Sequence, residues 1–357
     1  MSRTIVVLDG DGVGPEVSRA ACHVLRTMSP KFEILTPPVG EMAAKNLGSV
    51  LPEETKKLAA KADAVLFGAA GDTSGPVIAY LRWGLDNYVN IRPMKYYAGA
   101  YTPLKDAEGI DFVILRENSE GFYPWGREGD ISQLAEKWPE WRDRCLGKSF
   151  SDYGMGKFTI GIFTEAATKR MAKFACEFTE KRQQMGHPGT LTCVTKTNVL
   201  PETTGLFRKA MEEEIKEHPK LSYEHFFIDD MCRRVLRYPK DIDVLATTNM
   251  FGDIISDEAA EIVGGLGVAP SACVGGRTPY FEPVHGSAPK YAGKNVINPT
   301  AMILSVKMMF DYFTMAEEAQ ALDRAVAEVY REGKYLTRDQ GGGATTTEMT
   351  EAFIKKL

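Results

Sequence analysis

The chain has 357 residues, of which 44% are hydrophobic and 25% are charged, and its formal net charge is −5 at pH 7. This length suffices for two substantial hydrophobic cores, and the composition is that of a globular protein. The acidic balance argues against nucleic acid or a membrane surface as a partner, because both favour basic proteins.

The start of the chain shows no pattern of a targeting signal. Ile5–Leu8 is the only apolar run there, and Asp9 and Asp11 follow it at once. A signal peptide needs a longer apolar stretch, and a membrane span needs about 20 apolar residues. We therefore expect a cytoplasmic protein.

Six cysteines and five histidines are scattered along the chain, and no two cysteines form a C-x-x-C pair. Such scatter argues against both a zinc site and a disulfide framework. We expect most of these cysteines to be packing residues, as Cys176 and Cys193 in their apolar runs illustrate.

Short apolar segments rich in β-branched residues alternate with amphipathic helical patterns. This alternation predicts an α/β architecture, and strands without polar alternation indicate a sheet covered on both faces. In chain order, the predicted strands are Thr4–Leu8, Ala64–Phe67, Phe112–Leu115, Phe158–Phe163, Leu191–Thr195 and Asp243–Ala246. The predicted helices are Glu16–Met28, Glu165–Gln183, Thr300–Phe313 and Met315–Glu332.

The loop Gly10–Glu16 follows the first strand and opens the first helix, which indicates a ligand nearby. Its glycines do not have the G-x-G-x-x-G spacing, and no acidic residue stands about 20 positions further on at a strand end. We therefore do not predict an ordinary Rossmann dinucleotide site here.

Two positions are plausible crossings between domains: Arg92–Lys95, and the segment that follows Asp253–Asp257. They predict one discontinuous domain of residues 1–97 and 263–357, and a second domain of residues 98–262. Within the second domain, residues 126–157 contain Trp138, Trp141 and many charged residues, and Trp125 directly precedes them. This segment is either an arm that contacts a partner subunit or a surface insertion.

Asp253 and Asp257 are the strongest local signal. They are four positions apart, so in a helix they share one face, with apolar neighbours around them. Two such carboxylates suit Mg²⁺ or Mn²⁺. The alternative is an exposed acidic helix start, which the helix dipole also favours.

Arg82, Arg92 and Arg116 form a second candidate group, and Arg116 directly follows apolar strand residues. Strand ends in α/β sheets are where ligands bind, and arginine forks bind carboxylates. The group predicts a polycarboxylate ligand, whereas each arginine taken singly is compatible with a surface salt bridge.

Lys196 leaves another apolar strand, where partial burial would lower the pKa of a lysine and suit it to proton transfer. Tyr123 is a candidate for the acid partner. The alternative for both is a packed residue whose polar tip reaches water. A further loop, His285–Gly293, is rich in small residues and allows a ligand close to the backbone.

Taken together and in order, these segments resemble the β-decarboxylating dehydrogenase family of isopropylmalate, isocitrate, homoisocitrate and tartrate/D-malate dehydrogenases. The resemblance runs from Gly10 to Gly342. Its motifs are N-I-R-P at Asn90–Pro93, R-E-N-S-E-G-F-Y at Arg116–Tyr123, K-T-N-V at Lys196–Val199, N-M-F-G-D-I-I-S-D at Asn249–Asp257 and F-E-P-V-H-G-S-A-P at Phe281–Pro289.

The resemblance implies an α/β fold of two domains with a mixed sheet, which is not a Rossmann fold, and a role for each motif. Arg82, Arg92 and Arg116 would bind the substrate carboxylates; Asp229, Asp253 and Asp257 would bind Mg²⁺ or Mn²⁺; and Lys196 and Tyr123 would transfer protons. The cofactor would contact His285, Gly286, Ser287, Ala288, Pro289, Lys290, Tyr291 and Asn298. In this family Lys196 and Asp229 would reach into a neighbouring subunit's site, so a homodimer is expected.

Substrate choice depends on residues before the first arginine. Isocitrate enzymes of this family commonly have Ser and Asn six and four places before it, where this chain has Pro76 and Ile78. A third carboxylate would find no partner there, so an apolar substituent beside Ile78 is favoured, as in 3-isopropylmalate. Isocitrate, homoisocitrate and tartrate/D-malate dehydrogenases remain alternatives, as does another 2-substituted malate.

Cofactor choice depends on the residue after H-G-S-A-P, which is usually Asp in the NAD-using members. Lys290 and Tyr291 stand here, as in NADP-dependent isocitrate dehydrogenases. A cation there suits a 2′-phosphate, with Arg338 as a possible helper, so we expect NADP in preference to NAD.

Two rival functions are a non-catalytic regulatory subunit of the same family and a metal- and carboxylate-binding protein without redox activity. The complete set of predicted catalytic and metal residues argues against the first, and the H-G-S-A-P loop argues against the second.

Overall fold

The computed structural model describes residues 3–28 and 31–357. Twelve strands form within these residues: β1 Thr4–Gly10, β2 Glu33–Leu35, β3 Ala64–Ala69, β4 Val89–Lys95, β5 Asp111–Glu117, β6 Glu128–Asp130, β7 Lys157–Thr159, β8 Thr190–Thr195, β9 Ser222–Phe227, β10 Val244–Thr247, β11 Pro270–Val274 and β12 Tyr280–Pro283. Ten of them make one sheet in the order β2-β1-β3-β12-β11-β4-β5-β10-β8-β9, and β6 pairs only with β7.

The helices of the described residues are α1 Gly14–Met28, α2 Gly40–Leu47, α3 Glu53–Lys61, α4 Gly75–Ala79, α5 Ile131–Lys137, α6 Glu165–Gln184, α7 Thr203–Glu214, α8 Ile228–Arg237, α9 Asn249–Ile262, α10 Thr300–Tyr312, α11 Ala316–Glu332 and α12 Thr346–Ile354. A π-helix, Tyr80–Gly84, continues α4 directly. Short 3₁₀ turns lie at Ser151–Tyr153, Ile215–Glu217, Pro239–Asp241, Pro289–Tyr291 and Arg338–Gln340.

The sheet is covered on both faces, as the apolar strands predict. In β1, Ile5 and Val7 join the core under α1, α10 and α12, whereas Val6 and Leu8 join the core on the opposite face. Alternate residues of a strand point to opposite faces, so a strand buried on both sides must be apolar throughout.

The large sheet is mixed, which confirms the predicted fold class. β2, β1, β3 and β12 run parallel, as do β5, β10, β8 and β9, while β4 and β11 between them are antiparallel to their neighbours. Pro93 is tolerated in β4 because β11 pairs only with Val89–Ile91, so Pro93 has a strand on one side alone.

Most predicted elements are confirmed within one or two residues, but the strand predicted at Phe158–Phe163 is wrong in its second half. β7 ends at Thr159, and beyond it Ile162 makes only an isolated bridge with Gly121. Gly161 lies against the ring of Phe122, where an added Cβ would be 2.6 Å from Cε1, so this stretch follows the aromatic ring instead of a partner strand.

The predicted domain boundary stays a prediction. It would fall between β4 and β5, which pair along seven residues of each strand. Residues 126–157 form β6, α5 and β7 with a 3₁₀ turn, and they expose large apolar side chains, including Trp138 and Trp141.

The cysteines behave as packing residues in most cases. All six are free, and Cys22, Cys176, Cys193 and Cys273 are buried. Among the described helices, none has both the length and the apolar character to cross a bilayer.

Candidate active site

The sheet brings the predicted site residues to one edge. β5, β10, β8 and β9 are parallel neighbours, so their carboxyl ends face the same way. Arg116 lies at the end of β5, Lys196 follows β8, Asp229 follows β9, and α9 with Asp253 follows β10. Ligands of open α/β sheets bind at this edge.

Arg82 reaches the site from the π-helix, a form that is rare and often found at functional sites. Its side chain is buried, and its Nε donates to the hydroxyl of Tyr280 over 3.0 Å. Its Nη2 lies 3.5 Å from Glu282 Oε1. Both partners belong to β12, so a strand from the other part of the sheet fixes this arginine.

Arg92 and Arg116 are also buried and share a carboxylate. Arg116 pairs with Asp253 through Nη1 and donates from Nε to Asn249 over 2.9 Å. Arg92 Nη2 lies 3.4 Å from Asp253, and its Nη1 donates to Ser256 and to Asp257. Burial, followed by the like charges of Arg82 and Arg92, lowers the pKa of Arg116 to about 10.

The arginine cluster, here Arg82, Arg92 and Arg116, still has unused donors. Arg92 Nε and Arg116 Nη2 are buried and have no hydrogen-bond partner within the part of the chain that the structure describes. A buried donor without a partner costs free energy, and more when it is charged. An anionic ligand would remove this cost, so the donor set fits the predicted carboxylate substrate.

Tyr123 lies on the arginine cluster. Its ring centroid is 4.4 Å from Arg116 Cζ and 5.7 Å from Arg82 Cζ, within the range of a cation–π contact. Its hydroxyl adds a small lowering effect on the pKa of Asp253, after those of the three arginines. One chain therefore brings Tyr123, the arginine cluster and Asp253 together.

The turn before Tyr123 is held by carboxylates of its own motif. Glu117 accepts from the backbone N–H groups of Ser119 and Glu120, over 2.8 and 2.9 Å. Glu120 in turn accepts from the N–H and the hydroxyl of Thr164, the N-cap of α6, both over 2.7 Å. Burial raises the pKa of Glu117, against the lowering effect of these hydrogen bonds.

Asp253 and Asp257 lie one turn apart on α9, as predicted, with different electrostatic surroundings. Burial disfavours the charged form of Asp253, but the charges of Arg116, Arg92 and Arg82 outweigh it and lower its pKa. For Asp257 burial prevails and raises the pKa. The carboxylate oxygens are hard donors that suit Mg²⁺ or Mn²⁺.

Within residues 3–28 and 31–357, no three Asp, Glu, His or Cys side chains lie together as a metal site. Asp229, the predicted third ligand, instead forms an ion pair with Lys196. The hydrogen bond from Lys196, together with its charge, lowers the pKa of Asp229. β8 and β9 lie two and three strands from β5 in the sheet. The ends of these strands, from which Lys196 and Asp229 follow, are therefore roughly 10 to 14 Å from Arg116. A single chain thus forms two groups: the arginine cluster with two aspartates, and the Lys196–Asp229 pair.

The predicted cofactor loop packs against the first loop of the chain. Val13 N–H donates to Ser287 O over 2.9 Å, and Ser287 N–H donates to Ala70 O over 3.0 Å. Gly12 has φ +57, and a Cβ there would be 2.0 Å from Ser287 O, so only glycine fits this approach.

Some side chains around this loop are held by hydrogen bonds, and others are exposed or keep an unused polar atom. Asn298 is buried and donates to Tyr330 and Asp339 over 3.1 and 2.9 Å. His285 keeps Nε2 buried without a partner among the described residues, and burial lowers its pKa, which favours the neutral imidazole. Lys290 is exposed, with Nζ 5.0 Å from the ring centroid of Tyr291.

The remaining loop positions are Gly286, Ala288 and Pro289. Gly286 is exposed, Ala288 has the left-handed φ of +36, and Pro289 begins the 3₁₀ turn that presents Lys290 and Tyr291. Ile78 lies half-buried on α4, one turn before Arg82.

Several residues of the site were not predicted. Asn249 and Ser256 lie inside the N-M-F-G-D-I-I-S-D motif, and Glu282 lies in F-E-P-V-H. These three residues could therefore have been found from the motifs. Tyr280, which binds Arg82, lies outside every motif, and only the pairing of β12 in the sheet brings it to the site.

Known proteins match this chain over nearly its whole length. A family model described as isocitrate/isopropylmalate dehydrogenase matches residues 4–353. The 3-isopropylmalate/3-methylmalate dehydrogenase of Methanocaldococcus jannaschii is 42% identical and covers 99% of this chain and 98% of its own. The 3-isopropylmalate dehydrogenase of Archaeoglobus fulgidus is 40% identical with 99% coverage of both chains.

A solved structure has the same fold. The crystal structure of isocitrate dehydrogenase from Methylococcus capsulatus superposes with a TM-score of 0.86 at 30% identity, covering 99% of both chains.

Gly252→Ala should weaken binding of the carboxylate ligand. A Cβ at Gly252 would lie 2.7 Å from Cβ and Cγ of Arg116, whose buried side chain cannot move freely. Loss of one hydrogen bond to a charged group, about 1.5–3 kcal/mol, predicts a rise in KM of about tenfold to hundredfold.

The matched control is Gly205→Ala in α7, where an added Cβ meets no atom within 4 Å. This variant should keep the wild-type KM and gain slightly in stability, because alanine favours a helix. A wild-type KM in Gly252→Ala would contradict the role of Arg116 in ligand binding.

Proposed function

Because the chain belongs to the isocitrate/isopropylmalate dehydrogenase family, we propose that it catalyses the metal-dependent oxidative decarboxylation of an alkyl-malate such as 3-isopropylmalate, with hydride transfer to NAD(P). The arginine cluster carries the proposal. Its unused buried donors match the carboxylates of a malate, and two carboxylates suited to a metal ion lie directly beside it.

The substrate is proposed to have an apolar substituent. Ile78 lies on α4 one turn from Arg82, and neither Ile78 nor Pro76 offers a polar group to a third carboxylate. Relatives with 40–42% identity are named for 3-isopropylmalate and 3-methylmalate, which agrees with this inference.

The metal ligands are proposed to come from two chains. Asp253 and Asp257 of one subunit would be joined by Asp229 of a second copy, since one chain brings only two of these carboxylates together. Mg²⁺ or Mn²⁺ held there would supply electrophilic stabilisation of negative charge on the substrate's oxygens. The same dimer would bring Lys196 of the second copy to the site.

The chain's own residues then account for the proton transfers. Arg82, Arg92 and Arg116 hold the carboxylates, and Lys196 Nζ accepts the proton of the substrate hydroxyl, directly or through one water. Bound NAD(P) would supply the acceptor for the hydride of the same carbon. Carbon dioxide then leaves the resulting β-keto acid, and Tyr123 Oη donates a proton to the carbon that lost it.

The cofactor is proposed to be NADP rather than NAD. Lys290 and Tyr291 are exposed on the turn that follows His285–Ala288, where a cation would pair with a 2′-phosphate. Arg338, on the 3₁₀ turn that also carries the Asn298 partner Asp339, is a second candidate cation. Family members with Asp at the position of Lys290 would favour the ribose diol instead.

The function is tested by measuring absorbance of the reduced nicotinamide. The substrates are 3-isopropylmalate, isocitrate, homoisocitrate, D-malate and tartrate, each with NAD and NADP, with Mn²⁺ and with chelator. We expect Mn²⁺-dependent reduction that is fastest with 3-isopropylmalate. Preference for isocitrate or homoisocitrate would contradict the alkyl-malate assignment, and no reduction with any substrate by folded protein would contradict the enzyme assignment.

Lys290→Asp should shift the cofactor preference toward NAD. The change removes the cation that pairs with the 2′-phosphate and adds an acceptor for the ribose diol, so the NADP/NAD ratio of kcat/KM should fall about tenfold or more. Lys294→Asp is the matched control, because Lys294 is an exposed cation in the same loop. Equal use of NAD and NADP by the wild type would refute the preference.

A further inference from the structure

The helix that carries Arg82 presents two stripes of residues to the site. Gly75, Ala79 and Trp83 are four positions apart, and Ile78 and Arg82 form the neighbouring stripe. Val77 and Leu81 are fully buried in the core beneath this helix, and Ile78 is partly buried against the same core, so the helix is anchored on that side.

The indole of Trp125 lies along the first stripe. A Cβ added to Gly75 would be 2.8 Å from Trp125 Cη2, so the ring already contacts this glycine. At the other end, the rings of Trp83 and Trp125 meet edge-on, with centroids 5.7 Å apart at 88°. Trp125 therefore spans Ala79 and borders the stripe of Ile78 and Arg82.

A hydrogen bond ties Trp83 to the segment that carries Arg116. Trp83 Nε1 donates to Asn118 O over 3.2 Å, and the buried Asn118 donates to Asn87 O over 3.0 Å. Asn118 follows Arg116 by two residues, and Trp125 follows Tyr123 by two. Arg116, Tyr123 and Trp125 thus lie on one segment, and Trp83 is hydrogen-bonded to that segment.

Trp125 remains 58% exposed despite these contacts. The stripe that the indole covers, from Gly75 to Trp83, neighbours Ile78 on the helix, where the proposed function places the alkyl substituent. A substituent that covers the exposed apolar surface of the indole gains binding free energy. A ring that is held on two sides does not move aside easily for a larger substituent.

We propose that Trp125, braced by Trp83, forms the side wall of the substituent pocket and sets the largest alkyl group that the enzyme accepts. This proposal rests on the proposed function. Ile78 supplies the apolar floor, and the indole limits the substituent to methyl or short branched groups. Trp125 is a specificity-determining residue, whereas Trp83 and Gly75 are positioning residues that act through it.

The test compares kcat/KM for malates that carry methyl, isopropyl and n-hexyl groups in the wild type, Trp125→Ala and Trp125→Phe. In the wild type, kcat/KM should fall at least about tenfold from isopropyl to n-hexyl, a typical discrimination for a hydrophobic pocket. Trp125→Ala should reduce that fall to about threefold or less, through KM. Trp125→Phe keeps an aromatic wall and should keep the wild-type order.

Gly75→Ala supplies an independent test that leaves Trp125 in the chain. Gly75 does not have a positive φ, so the main obstacle to its Cβ is the indole. Gly75→Ala should displace the ring and imitate Trp125→Ala, and it should have no further effect in the Trp125→Ala background. Tyr101→Ala, which removes another exposed aromatic ring, should leave the order unchanged.

The outcomes separate the two proposals. A wild type that oxidises no alkyl-malate would overturn the proposed function and the wall with it. A wild type that oxidises them while Trp125→Ala keeps the same order of substituents would overturn the wall alone. Additive effects of Gly75→Ala and Trp125→Ala would likewise show that the glycine does not act through the ring.

Discussion

The burial of three guanidinium groups against one another is the constraint on which the site depends. Arg82, Arg92 and Arg116 are each no more than 6% exposed, and their mutual repulsion with burial lowers the pKa of Arg116 to about 10. Asp253 and Glu282 offset part of this charge, but two N–H donors remain unpaired. The cluster is therefore organised in advance for an anion, which supports the proposed malate-type substrate.

The rest of the molecule holds these charges in place. β5 and β10 deliver Arg116 and α9 to the same edge, β12 supplies Tyr280 and Glu282 to Arg82, and Glu117 ties down the turn that leads to Tyr123. Much of the R-E-N-S-E-G-F-Y motif is thus scaffold. In the proposed function Arg116 and Tyr123 face the substrate, whereas Glu117, Asn118 and Glu120 satisfy backbone groups and brace neighbouring elements.

Local patterns predicted the parts of the structure that local forces determine. Strands buried on both faces are apolar throughout, and α1, buried on one face, has an apolar stripe. The spacing of Asp253 and Asp257 places both on one face of a helix. The antiparallel β4 and β11 and the contact of Arg82 with Tyr280 depend on pairing between distant segments, which no window of sequence contains. The resemblance to a known family supplied the roles of Asp229 and Lys196, and the geometry of one chain leaves them apart from the other residues.

That separation makes the shared site the central claim, and mixing two inactive variants tests it most directly. Lys196→Met and Asp253→Asn would be assayed alone and after subunit exchange, with mixed dimers verified by mass spectrometry. If each site combines Asp253 of one chain with Lys196 of the other, each variant alone is inactive, and random exchange restores about a quarter of wild-type activity, because half of the dimers are mixed and each has one intact site. No recovery in verified mixed dimers, or substantial activity in either variant alone, would contradict the account.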